Sequence, residues 1–295
     1  MSSPKTIQVV CHNDLDGVVS YLVLCWLYGK KLDVVNTTPI KLEADVNKLF
    51  AQNKQWDRLY FLDLDVSKIG SLIDTTKTVI LDHHKTNIFS FKNATTRIYN
   101  ETSCAKLIYD TFFKPTEKPL TSAQKTLIAL ADDWDSNAKT TPLSKNLNIV
   151  YHSMSNKFQS FVDDYYNGFK PFDKFKENTI SLYEKRQQEY IQQLNPFFGK
   201  IDFEDQTGIK IGAVFCDKFV QECCDWLCKK HNVDVAIAVL IDQKRIAVRR
   251  NSNNCTIDVS KFVQRIASGG GHEAAAGGNL TEEFIEFTKL LSPVS

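Results

Sequence analysis

The sequence has no run of eighteen apolar residues, so no segment is expected to cross a membrane as a helix. Its start, MSSPKTIQVVCHND, carries no apolar stretch of the length a secretory leader needs. Charge of one sign is also missing: 36 lysines and arginines stand against 35 aspartates and glutamates, for a net charge of +1. Proteins that grip long nucleic acid without regard to sequence are usually far more basic. Long duplex partners are therefore not expected, whereas a small anion held at one place is compatible with this balance. There is no repeat of fixed period and no low-complexity tract. Eight cysteines are scattered along the chain, and the close set of Cys223, Cys224 and Cys228 with His231 matches no common zinc spacing. Packing within a helix explains that set better. Free thiols in a reducing compartment follow, and with them a cytoplasmic location and no membrane role.

What is present is an alternation of two kinds of segment. TIQVVCH (6–12), LDVVNTT (32–38), RLYFLDLD (58–65) and KTVILDHH (77–84) are short apolar runs that read as strands. Helical stretches separate them: VVSYLVLCWLY, then EADVNKLFAQN, then VSKIGSLID. This rhythm predicts an α/β fold, a parallel sheet with helices on both faces. Residues 101–135 and 143–167 read as helical, with Thr121 and Gln124 spaced as a capping box. Phe158, Phe161, Tyr165, Tyr166, Phe169 and Phe172 crowd the second stretch, at a spacing that favours core packing over stacking against bases. A long polar helix opens at Pro171 and is ended by Pro196. Beyond it come a strand at 207–216, a helix, two strands (233–242 and 244–252) joined by a tight turn, another helix, SGGGHEAAAGG, and a last helix TEEFIEFTKLL. The expected organisation is a first domain over 1–170, a helical linker over 171–200, and a smaller α/β domain over 201–295.

Acids and histidines fall where three of the strands end. His12, Asp14 and Asp16 follow the first strand, Asp63 and Asp65 end the third, and Asp82, His83 and His84 end the fourth. Sites in open α/β sheets form outside the carboxyl ends of strands, so parallel pairing would bring these clusters to one edge. Carboxylates gathered together repel unless cations neutralise them. Oxygen and imidazole donors suit manganese, magnesium or iron better than metals that seek thiolates. Two such ions, about 3.5–4 Å apart, serve in-line displacement at phosphorus. Taken singly, Asp14, Asp16 or Asp63 reads as a helix cap or a turn residue. Their recurrence at three strand ends is what points to metal.

HNDLDG, LDLD and LDHHKT resemble, in order, the first three motifs of the DHH phosphoesterase superfamily. That family's fourth motif is an aspartate on a later helix; LADDWD offers Asp132, with Asp133 as the next choice. SGGGHEAAAGG resembles the glycine-rich signature of the DHH-associated domain, and IAVRRNS its strand bearing a substrate-binding arginine. The resemblance runs over residues 6–290, with no motif in 136–200. It implies that His12 and Asp14 hold one ion, that Asp16, His83 and Asp132 hold a second, and that Asp63 bridges both. Asp82 would orient a neighbouring ligand and His84 would contact the scissile phosphate, while Asp65 would cap the next helix. Arg249, Gly269, Gly270, Gly271 and His272 would hold the substrate. The implied cofactors are two divalent ions, manganese first, with magnesium or cobalt as alternatives. The compact HNDLDG form resembles the nanoRNase branch, which implies hydrolysis of short oligoribonucleotides to mononucleotides. Cyclic (di)nucleotides, adenosine bisphosphate and polyphosphate are alternative substrates, and a catalytically silent nucleotide-binding module is the non-enzymatic alternative. A homodimer is compatible with the pattern.

Overall fold

The computed structural model describes residues 6–84, 87–99, 102–114, 119–136, 140–251 and 255–282. The chain divides into two compact units, Met1–Ile180 and Ser181–Ser295.

The first unit is built on five parallel strands: β1 (Ile7–His12), β2 (Asp33–Thr37), β3 (Arg58–Leu62), β4 (Thr78–Asp82) and β5 (Thr95–Ile98), in the order β2-β1-β3-β4-β5. β1, β3 and β4 are apolar through their middles because both faces are covered. Alternate residues serve different cores. Val9, Cys11, Tyr60, Leu62, Val79 and Leu81 join α1 (Leu15–Tyr28), α4 (Cys104–Phe112), α5 (Ser122–Asp135), α6 (Pro142–Ser153) and α7 (Lys157–Tyr165) on one side. Val10, Leu59, Phe61 and Ile80 join α2 (Leu42–Phe50), a 3-10 turn (Ser67–Ile69) and α3 (Gly70–Ile73) on the other. The expected capping box forms in both directions between Thr121 and Gln124. Phe158, Phe161 and Tyr165 are buried in the larger core, and Tyr166, Phe169 and Phe172 pack against it. The strand order reverses between β1 and β3: the chain leaves β1 for one edge and returns on its other side. A crevice opens at the carboxyl ends of strands where such a reversal occurs.

α8 (Lys174–Gln192) leads to the second unit. Six strands lie there in the order β10-β11-β9-β8-β7-β6: β6 (Phe197–Phe203), β7 (Gln206–Phe215), β8 (Val235–Leu240), β9 (Arg245–Arg250), β10 (Ser268–His272) and β11 (Ala275–Asn279). Only β7 and β8 run parallel among these pairs. α9 (Val220–His231) covers one face and α10 (Val259–Ile266) the other. Cys223 and Cys224 are fully buried under α9, in keeping with helix packing, and all eight cysteines are free.

The structure adds four strands to the expected set: β5, β6, β10 and β11. β5 and β6 are edge strands whose residues are largely exposed, so they carry no apolar alternation. β6 begins at Phe197, inside the stretch expected to be linker. SGGGHEAAAGG forms the β10–β11 hairpin. A Cβ on Gly269 would lie 2.1 Å from the Gly277 carbonyl oxygen, so the two strands can approach only through glycine. The expected last helix lies outside the described residues. Among the described residues, no helix is long and apolar enough to cross a membrane.

Candidate metal centre

His12 is the last residue of β1. Asp14 caps α1: one carboxylate oxygen accepts from the Gly17 amide at 2.9 Å, and the other lies 2.8 Å from His12 Nδ1. A Cβ at Gly17 would sit 2.2 Å from the His12 carbonyl oxygen, so the glycine of HNDLDG is what lets α1 start this close to the strand end. Asp16, in the first turn of α1, is buried. Its oxygens accept from the amides of Cys104 (2.7 Å) and Ala105 (3.0 Å), at the start of α4. Unsatisfied amides and the helix dipole stabilise a negative charge at that position.

Asp63 follows β3 in a left-handed conformation (φ 57°), a state that aspartate tolerates better than most residues. It is 2% exposed. One of its oxygens is 3.1 Å from His83 Nε2 and the other 3.4 Å from His12 Nδ1. Asp82, fully buried at the end of β4, accepts from His84 Nδ1 (2.7 Å) and from the Asn87 side-chain amide (2.9 Å). His83 Nε2 is also 3.5 Å from Asp135 and 3.9 Å from Asp16. Asp65 accepts from the Ser67 amide at the start of the 3-10 turn, whose N-cap position is Val66.

The three acids of LADDWD separate here. Asp132 turns to α4 and accepts from the Ser103 amide at 2.8 Å. Asp133 accepts from Thr140 and Ser144 and ties α5 to α6. Asp135 faces His83. Asp132, the expected fourth-motif residue, and Asp133 behind it thus turn elsewhere, and it is Asp135 that groups with Asp16 and His83. Residues three apart share a helix face, so spacing could not separate Asp132 from Asp135. The neighbour each one meets does.

Three overlapping sets of side chains bring ligand atoms within 4.8 Å of one another: His12, Asp14 and Asp63; Asp16, His83 and Asp135; and Asp63, His83 and His84. Asp63 and His83 belong to two sets each. His12 Nδ1, Asp63 Oδ2 and Asp135 Oδ2 are buried without a hydrogen-bond partner among the described residues, although each lies close to a group of opposite charge. Buried ligand atoms without hydrogen-bond partners, spread over these overlapping sets, fit cations better than they fit one another.

The electrostatics agree. Burial, reinforced by Asp63 and Asp14, lifts the Asp135 carboxyl to about 7 despite the nearby His83. Burial also raises Asp16 well above the carboxylate range. Burial lowers His12 and His83, but the carboxylates beside them prevail and hold both near 10. Asp82 likewise outweighs burial and raises His84. The cluster has more negative charge than it can bear and retains protons to offset it. Divalent cations would neutralise the same charges and let the imidazoles bind as neutral ligands.

In the second unit, Arg249 is half-buried on β9, in register with Ala275 of β11, which is itself in register with His272 of β10. Arg249 and His272 thus share a row across the sheet, about 10 Å apart by strand spacing. The side chain of His272 lies outside the described residues. Arg249 Nη1 donates to the neighbouring Val248 carbonyl. Arg250 goes to the other face and holds the carbonyls of Thr256 and Ile257. Gly269 and Gly271 are accounted for by close approach to β11, whereas a Cβ on Gly270 would meet nothing nearer than 3.8 Å.

The chain is similar to known proteins in sequence and in fold. The DHHA1 domain matches over residues 215–292. The oligoribonuclease NrnB of Bacillus subtilis is 24% identical over 305 residues, covering 93% of this chain and 73% of that protein. Its matches thus lie among DHH-type proteins, with the family model covering the C-terminal 215–292. Solved structures share its fold. A pGpG-specific phosphodiesterase, PggH of Vibrio cholerae, aligns over 97% of both chains with a TM-score of 0.57 and 14% identity. RecJ of Thermus thermophilus, in complex with Mn2+, aligns over 97% of this chain and 51% of its own, with a TM-score of 0.55 and 13% identity.

Proposed function

We propose that this protein is a two-metal-ion phosphodiesterase that hydrolyses short oligoribonucleotides to mononucleotides. The observation that carries the reading is the pair of ligand sets joined through Asp63 and His83. His12, Asp14 and Asp63 would hold one ion, and Asp16, His83 and Asp135 the other, with Asp63 serving both. Manganese suits these oxygen and imidazole donors, as magnesium does less fully. When bound, such a pair supplies Lewis acidity and an activated water for in-line displacement at phosphorus.

The chain's own groups complete the chemistry. Asp82 is held by Asn87 and fixes the His84 ring through Nδ1. Asp82 favours the protonated ring, whose Nε2 would donate to a phosphate oxygen and offset charge that develops there. Asp16, anchored on the α4 amides, keeps its carboxylate from turning away. No serine or cysteine nucleophile is required. Arg249 and the β10–β11 hairpin would hold the rest of the substrate: a guanidinium suits phosphate, and glycines leave room for a nucleotide.

Short RNA is favoured by the similarity to NrnB, an oligoribonuclease. PggH acts on a dinucleotide, which supports the same size class. The net charge of +1 also fits a short anion rather than a long one. To test the reading, the chain is stripped with chelator, reloaded with Mn2+, and offered RNAs of two to five nucleotides, cyclic dinucleotides, adenosine bisphosphate and polyphosphate. Conversion of the short RNAs to mononucleotides in preference to the others is expected. Turnover of polyphosphate alone, or retention of one nucleotide with no turnover at all, would overturn it.

A further inference from the structure

Asn13 stands between His12 and Asp14, and the motif-free helices α6 and α7 hold it at two points. Tyr151 of α6, fully buried, donates its hydroxyl to the Asn13 side-chain oxygen at 3.1 Å. Lys157, the first residue of α7, donates Nζ to the Asn13 main-chain carbonyl at 2.9 Å. The same ammonium sits 4.9 Å from the centre of the Tyr151 ring, so the two holding groups also brace each other.

Lys157 is half-buried, and no carboxylate pairs with it among the described residues; its hydrogen bond goes to a carbonyl. Burying a cation without a counter-ion is costly. Burial accordingly pulls the Lys157 amine below its ordinary range, with Asp14 opposing. A surface lysine that merely balanced the acidic cluster would pair with a carboxylate and stay in water. This one is spent on a single peptide group. That peptide links a strand-end histidine to a helix-capping aspartate, and a rotation there would carry Asp14 away from His12 and Asp63.

We propose that Tyr151 and Lys157 are positioning residues: they fix Asn13 and so set His12 and Asp14 for the ion these share with Asp63. The inference rests on the two-ion reading of the site and is independent of the substrate. Partners that orient metal ligands from behind are typically worth about 10- to 100-fold in metal affinity.

The test is an Mn2+ titration of the chelator-stripped full chain, followed by electron paramagnetic resonance. The variants are Tyr151→Phe, Lys157→Met, Lys157→Arg and Asn13→Ala, with melting temperature as a control. Tyr151→Phe and Lys157→Met should each weaken one of two Mn2+ sites about tenfold and leave the other unchanged. Lys157→Arg should restore most of the loss. In the Asn13→Ala background, Tyr151→Phe should have no further effect, because its acceptor is gone. Lys157→Met should still weaken the site there, because its acceptor is main chain. Unchanged affinities would overturn the proposal, as would equal loss at both sites with a lowered melting temperature, the mark of a merely structural role. Absence of Mn2+ binding in the unaltered chain would overturn it together with the site. Two bound ions that respond as expected, without hydrolysis of RNA, would support the proposal and overturn only the substrate reading.

Discussion

In the first unit the ends of β1, β3 and β4 crowd aspartates and imidazoles into a buried space where several donor atoms have no partner. In the second unit β9, β10 and β11 end in an arginine pair and a glycine hairpin, and the groups with ligand geometry among the described residues all lie elsewhere. Both units cover a sheet with helices on two faces. They differ in what the sheet edge is left owing. The first holds charge that only protons or cations can relieve, which is the condition for chemistry. The second gathers no comparable set of acids and imidazoles among the described residues.

Substitutions in the two units should therefore fail in different ways. Asp63→Ala removes the side chain proposed to serve both ions. Hydrolysis should fall by about three orders of magnitude, since several kcal/mol of charge stabilisation are lost. Asp135→Asn should raise the Mn2+ needed for half-maximal activity about 100-fold. Asp132→Ala should leave that requirement alone and cost about 1–2 kcal/mol of stability, the worth of a hydrogen bond from the Ser103 amide to a charged acceptor. A reversed pattern for these two would return the fourth motif to Asp132. Arg249→Ala should raise KM about tenfold with kcat nearly unchanged, the mark of lost ground-state binding. A fall in kcat alone would move Arg249 into the chemistry and blur the division between the units.

The smallest expected effect is on stability against pH. His12 and His83 are held near 10 in the folded chain, above the ordinary 6.5. The folded state binds more protons than the unfolded one between those values, so this contribution is full below 6.5 and is lost as pH rises towards 10. Asp135, lifted to about 7, acts in the same direction between pH 4 and 7. Chelated protein should thus melt at lower temperature as pH climbs from 6.5 to 9.5. Mn2+-loaded protein should melt higher, because deprotonated ligands bind the ion better. Parallel curves for the two forms would contradict the cluster's reading as a cation site.

Much of this was legible in the chain. β1, β3 and β4 read as buried strands because apolar side chains fill both faces, and the acids that follow them stand out against that background. The edge strands β5 and β6 did not announce themselves: pairing on one side only, they bury little and show no period. The glycine run gave no strand signal, although its close approach to Gly277 and Gly278 makes it a strand. Asp135 escaped because helix spacing gives it the same face as Asp132, and only the partner at Ser103 separates them. Tyr151 and Lys157 belong to no motif, and their common target, Asn13, is more than a hundred residues away in sequence.

The central claim is most directly tested by a crystal of the Mn2+-loaded chain measured at the manganese absorption edge. Two anomalous peaks should flank Asp63, one touching His12 and Asp14 and the other Asp16, His83 and Asp135. A single peak, no peak, or a peak ligated by Asp132 would contradict it.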